Sequence, residues 1–167
     1  MVINKKKIII IIIVIIAAIT AAVILLESEE DKIKKRFKTF AGLIEKKPGE
    51  TKLMMAQKAR KIGALVTRPC MISVPEYSVS GSYTPQKISR QTAMGRTRFK
   101  HLTLEFFDLS VKVVDDINAD ANVTARVTGK RLNNEPFEGT HELICRLKKI
   151  EGEWLFNQVE VVDVLEK

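Results

Sequence analysis

The apolar positions of the chain fall into three regimes. From Ile8 to Leu26 they form an unbroken run of nineteen residues, flanked by Lys5, Lys6 and Lys7 on one side and by Glu27, Ser28, Glu29, Glu30 and Asp31 on the other. As a helix rising 1.5 Å per residue the run reaches roughly 28 Å, close to the hydrocarbon thickness of a bilayer. It predicts a transmembrane helix over 8–26, behind a basic tail of 1–7 and ahead of an acidic linker of 27–31. A cleaved signal peptide is the rival, with Ile8 to Ile16 as its apolar core and Thr20-Ala21-Ala22 as the cleavage site, but Val23 to Leu26 carry the run past that point.

From residue 32 to about 100 the apolar positions recur at helical spacing. Ile33, Phe37, Phe40 and Ile44 share one face while Lys34, Lys35 and Lys38 take the other, and Pro48-Gly49 breaks this first helix. Met55, Ala59, Ile62 and Val66 predict a second helix that starts from Thr51 and is stopped by Pro69. Between Met71 and Tyr83 the pattern is short, β-branched and turn-rich; Pro75 fits an edge strand and Gly81-Ser82 a turn. Thr84 before Pro85 opens a third helix, with Ile88, Thr92, Gly95 and Phe99 as its buried stripe and an end near His101.

Beyond His101 the period becomes two. Leu102 to Asp115 predicts a strand long enough to need a bulge at Phe107-Asp108, and Asn118 to Asp120 a turn. Val123, Ala125 and Val127 then alternate with Asn122, Thr124, Arg126 and Thr128, so one face is buried and one wet. A turn at Asn133 to Pro136 leads into a strand from Thr140 to Lys149, and Glu151-Gly152 makes a hairpin into Trp154 to Leu165. That last strand reads as apolar on both faces, Trp154, Phe156, Val162 and Val164 on one and Leu155, Val159, Val161 and Leu165 on the other.

Length bounds this to one anchor and one domain over 32–167. Charge adds an asymmetry. Residues 32–100 hold seventeen Lys or Arg against three acids, whereas residues 101–167 hold eight against thirteen. A half so basic points to an anionic partner surface, and beside an anchor the nearest one is lipid headgroups, met by Lys34, Lys35, Lys38, Arg90, Arg96 and Arg98. Nucleic acid is the weaker partner, because the aromatics are not interleaved with the bases as stacking platforms. Lys5, Lys6 and Lys7 flank one end of the run, but Lys32, Lys34, Lys35, Arg36 and Lys38 lie within fifteen residues of the other, so the positive-inside count is nearly tied. A short basic tail ahead of an apolar run, with an acidic cluster at the far end, is how export signals begin; it predicts a single-pass protein of the cell inner membrane with its domain extracytoplasmic, in the periplasm, the inverted topology being the alternative that would admit nucleic acid.

Few residues carry chemistry. Cys70 and Cys145 permit one disulfide in an oxidising compartment, yet Cys145 runs in phase with Leu143 and Leu147 as a small buried hydrophobe would. His101 and His141 stand alone, so no metal site is predicted, and nothing in the pattern calls for a cofactor. Asn122-Val123-Thr124 fits the glycosylation sequon but falls inside a predicted strand.

Two helices, a short strand region, a third helix and four antiparallel strands, with Ala121-Asn122-Val123 and Glu151-Gly152-Glu153-Trp154, resemble the nuclear transport factor 2-like superfamily. The resemblance implies an α+β, cystatin-like cone: three helices packed on a curved antiparallel sheet around a central cavity. It also implies two kinds of function. One is a binding or assembly module, a homo-oligomer or a subunit of a membrane complex, docking through whichever of Phe156 and Val162 or Val159 and Val161 faces outward. The other is a carrier, or an isomerase- or cyclase-type enzyme, which needs a general base and a polar donor in the cone; His141, Asp163 and Tyr83 are the candidates, with Tyr77 and His101 behind them.

Overall fold

A computed structural model of the chain describes residues 12–16, 27–75 and 78–162. Residues 12–16 form a short exposed helix; the rest of the 8–26 run lies outside the described residues, among which no helix is long and apolar enough to cross a membrane. From residue 27 the order is α1 (Glu29–Ile44), α2 (Lys52–Gly63), β1 (Val66–Val74), β2 (Val79–Tyr83), α3 (Pro85–Thr97), β3 (Phe99–Val113), β4 (Asn118–Arg131), β5 (Pro136–Ile150) and β6 (Glu153–Val162). The six strands make one curved sheet in the order β2-β1-β6-β5-β4-β3. All neighbours are antiparallel except β1 and β6, which run parallel, so the sheet departs at one pair from the antiparallel expectation.

Local chemistry explains most of the boundaries. Ser28 caps α1 by accepting from the Asp31 amide, and Glu29, Glu30 and Asp31 fill its first turn. Negative charge is favoured there by the helix dipole, so most of the acidic cluster expected as a linker belongs to the helix. Thr51 and Thr84 cap α2 and α3 in the same way, and Pro85 takes the first position of α3.

Four boundaries move. α2 ends at Gly63, where a Cβ would meet Ser89 Oγ at 2.1 Å and the Pro85 carbonyl at 2.8 Å. Val66, expected on that helix, instead opens β1 opposite Phe156, and Pro69 lies within the strand. The turn expected at Gly81-Ser82 lies between Val74 and Val79, with Ser78 at φ +51°; Gly81 is a strand residue opposite Ile72. Between β3 and β4 the turn sits before Asn118, because the Asp115 carboxylate accepts from the amides of Ile117 and Asn118 and so closes the loop early. α3 stops at Thr97 rather than near His101.

The bulge expected at Phe107-Asp108 is present: the register shifts between Phe107 and Ser110, with Asp108 at φ +53°. Glu151 and Gly152, at φ +51° and +82°, close the β5–β6 hairpin in two residues, the left-handed pair that matches strand twist. A second bulge was not visible in the sequence. Leu147 pairs with Phe156 and Arg146 with Gln158, so Asn157 is skipped and the alternation of β6 changes phase.

The core lies between the concave face of the sheet and the helices. Phe37 meets Phe106 and Phe156 edge-to-face, with ring centroids 5.2 and 5.0 Å apart, and Phe40 meets Phe156 at 5.6 Å. Each such pair adds about 0.5–1.5 kcal/mol beyond area burial. Ile33, Ile62, Leu147 and Trp154 complete this core.

Candidate binding cavity

The cone holds a partly open cavity of about 150 Å³ to which six elements contribute: Phe37 and Phe40 from α1, Val66, Cys70 and Ile72 from β1, Ile88 from α3, Phe106 from β3, Leu143 and Cys145 from β5, and Phe156 and Val159 from β6. The void follows from the local structure. The helical spacing that places Phe37 and Phe40 over the sheet aims both rings at its concave face, and the skipped Asn157 sets Phe156 and Val159 on that same face. The wall presents no polar atom. A water needs two to four polar partners to be held, whereas a dry cavity of this size takes a benzene-sized ring.

The two thiols are the most polar groups in the wall. Burial pushes the Cys70 thiol up to about 11, and burial together with the nearby Cys70 pushes Cys145 up to about 12. Both are therefore uncharged and poor nucleophiles at neutral pH. β6 runs between their strands, which separates the backbones by about 10 Å, beyond the ~7 Å that a disulfide spans. Both cysteines are free.

The sequence-predicted acid–base candidates do not converge on the cavity. His141 has the inward parity of Leu143, but its ring lies against Gly139, with Nε2 3.5 Å from where a Cβ there would sit, and it is not part of the wall. Tyr83 packs at the edge of the core with Lys87 Nζ 4.3 Å above its ring. His101 is exposed beside Thr103 Oγ1. Asp163 and Tyr77 lie outside the described residues. Among the described residues no three His, Cys, Asp or Glu side chains gather to hold a metal ion.

The docking residues divide differently from the expectation. Phe156 is buried, Val159 lines the cavity, and Val161 pairs with the inward Leu143. Only Val162, opposite Glu142, faces out, in a shallow groove with Ile144 and Thr124. The reason is the phase change at Asn157, which collects the apolar residues of β6 on the concave side.

Of the basic residues, Lys34, Lys35, Lys38, Arg90 and Arg98 are exposed. Arg96 is a correction: only 2% exposed, it is an internal strut and not part of a surface. Its Nη2 donates to both Glu50 oxygens, at 2.8 and 2.9 Å, and to the Glu45 carbonyl, while Nε donates to the Ile44 carbonyl. Burial raises the Glu50 carboxyl, but Arg96 and Lys58 outweigh it and hold it below the usual carboxylate range. A signal existed, since Arg96 stands four residues after Thr92 and eight after Ile88, on the buried stripe.

A second ionic joint fixes α1 to the β5–β6 hairpin. Glu29 accepts from Lys32, Lys149 Nζ and Trp154 Nε1 at 2.7, 2.8 and 2.7 Å, and these bonds lower its carboxyl from 4.5 to about 2. Arg36 pairs with Glu153 beside it.

No family model matches the sequence, and no curated protein does. Solved structures match the fold. A candidate calcium/calmodulin-dependent protein kinase II association domain from Xanthomonas campestris is 14% identical, with a TM-score of 0.66 over 84% of this chain and 91% of that one. A candidate scytalone dehydratase from Novosphingobium aromaticivorans is 14% identical, with a TM-score of 0.66 over 82% and 85%. A candidate dehydratase of the nuclear transport factor 2-like family from Streptomyces avermitilis is 10% identical, with a TM-score of 0.64 over 83% and 98%. The domain thus has the nuclear transport factor 2-like fold, and at these identities the likeness speaks for the fold alone.

Proposed function

We propose that the chain is a membrane-tethered binding module whose cone holds a small apolar group without transforming it. The observation that carries this reading is the cavity wall: eleven residues, all apolar apart from two uncharged thiols, with no carboxylate, imidazole, amine or hydroxyl among them. General acid–base catalysis works best with a group that titrates near neutral pH, and the only titratable groups of the wall are the two thiols, pushed up to about 11 and 12. The apolar run over 8–26 supports the tether, and the short basic tail ahead of it, the pattern with which export signals begin, supports an extracytoplasmic, periplasmic domain on the inner membrane.

The enzyme reading draws on the fold neighbours named as candidate dehydratases, and it needs a group such as Asp163 to reach the cone. Assembly with a second copy or a membrane complex would use the outer groove at Val162 and Ile144, not the inward Phe156 and Val159.

The test is thermal unfolding of a fragment over 27–167 with small apolar rings such as benzene or indole. The reading expects a concentration-dependent rise in Tm that Val159→Phe abolishes by filling the cavity and His141→Ala leaves intact. No rise, or loss with His141→Ala alone, counts against it. For the topology, an alkaline phosphatase fusion after Lys167 is expected to be active; an inactive fusion with an active cytoplasmic reporter reverses the assignment.

A further inference from the structure

We infer that the joined ends of α2 and α3 form a second membrane contact, which docks on an anionic lipid surface with α1 lying along it. The inference rests on the tethered reading above. α2 and α3 pack antiparallel: Gly63 at the end of α2 meets Pro85 at the start of α3, and Arg96 near the end of α3 donates to the Met55 carbonyl near the start of α2. This brings Leu53, Met54 and Met94 to one end of the pair, where they are 69%, 49% and 57% exposed.

The two helices carry seven Lys or Arg and no acid. Lys58 and Arg96 are engaged with Glu50, but Lys52, Arg90 and the capping Arg98 are exposed and have no carboxylate in range among the described residues. Aliphatic and thioether side chains inside an uncompensated cationic rim match the headgroup boundary of an anionic bilayer: the apolar groups enter it while the cations meet phosphate. The outer sheet face differs, since it pairs Arg126 with Glu105 and Arg146 with Asp120.

An acidic protein would meet the same cations. The position of the tether favours lipid. Only Glu27 and Ser28 separate Leu26 from α1, so the start of α1 is held at the bilayer. The other end of α1, about 24 Å along its sixteen residues, is where Ile44 and Glu45 accept from Arg96. Laying α1 flat brings the α2–α3 end to the same surface at high effective concentration.

The experiment uses the full chain in phosphatidylcholine vesicles with and without phosphatidylglycerol. An environment-sensitive fluorophore is placed at Met94→Cys or, as a control on the outer sheet face, at Ile144→Cys. With phosphatidylglycerol, quenchers buried in the bilayer should quench the Met94 probe several-fold more than the Ile144 probe. High salt, or Lys52→Glu with Arg90→Glu and Arg98→Glu, should remove the difference. Equal quenching at the two sites overturns the docking and leaves the patch to a protein partner, and a difference that persists without phosphatidylglycerol overturns the recognition of anionic headgroups by the cationic rim. A chain that floats with vesicles of either composition while its Met94 probe stays unquenched overturns the docking alone. A chain that floats with neither sinks the tether as well.

Discussion

One guanidinium joins the three helices. Arg96 on α3 reaches the last carbonyl of α1 at Ile44, the Met55 carbonyl of α2, and Glu50 in the loop between α1 and α2. Both Arg96 and the Glu50 side chain are 2% exposed, so removing Arg96 leaves the buried Glu50 carboxylate with Lys58 alone, 3.4 Å away, and the Ile44 carbonyl without its donor. Arg96→Met should cost about 3–5 kcal/mol in urea unfolding, and the double change Arg96→Met with Glu50→Leu clearly less; equal costs would show that the pair is not coupled. Glu29 gives a pH signature. Its folded value of about 2 lies below the ordinary 4.5, so its contribution is complete above pH 4.5 and is lost as pH falls towards 2. The stability gap between the native chain and Glu29→Gln should therefore close across that window, and a gap independent of pH would exclude the ionic joint with Lys149 and Trp154.

Among the elements, the junction of α2 with α3 tolerates no side chain at Gly63. Gly63→Ala should destabilise the domain by about 1–3 kcal/mol through overpacking. Ser89→Ala should restore only part of this, because the Pro85 carbonyl also stands 2.8 Å from the added Cβ and cannot move aside as a hydroxyl can. Full recovery would place the clash at Ser89 alone. The elements themselves were legible where local chemistry acts alone: the caps at Thr51 and Thr84, the hairpin at Glu151-Gly152 and the bulge at Phe107-Asp108 all stand where the sequence places them. What moved was set by pairing between distant residues. Val66 continues a helical period but is claimed by Phe156 ninety residues on, and the alternation of β6 is broken at Asn157 by its register with β5. A period carries no record of a skipped residue, so the faces of β6 were not readable in advance.

At the scale of the whole molecule, the described core begins at Ile33 and draws on all three helices and the sheet. A fragment over 27–167 should therefore unfold cooperatively, and a broad transition or aggregation would contradict a self-sufficient domain. Phe37 and Phe40 were legible as core residues from their spacing, whereas Phe106 and Phe156 were not; nor was the space between the rings, because it depends on how far the sheet curves away from α1. That space is the central claim. The most direct measurement is a crystal structure of the fragment under xenon pressure. The account predicts xenon in the cone between Phe37, Val159 and Cys145, absent from Val159→Phe, with no ordered water beside it. Ordered water in that cavity, or a cone that takes no xenon, would contradict an apolar binding site.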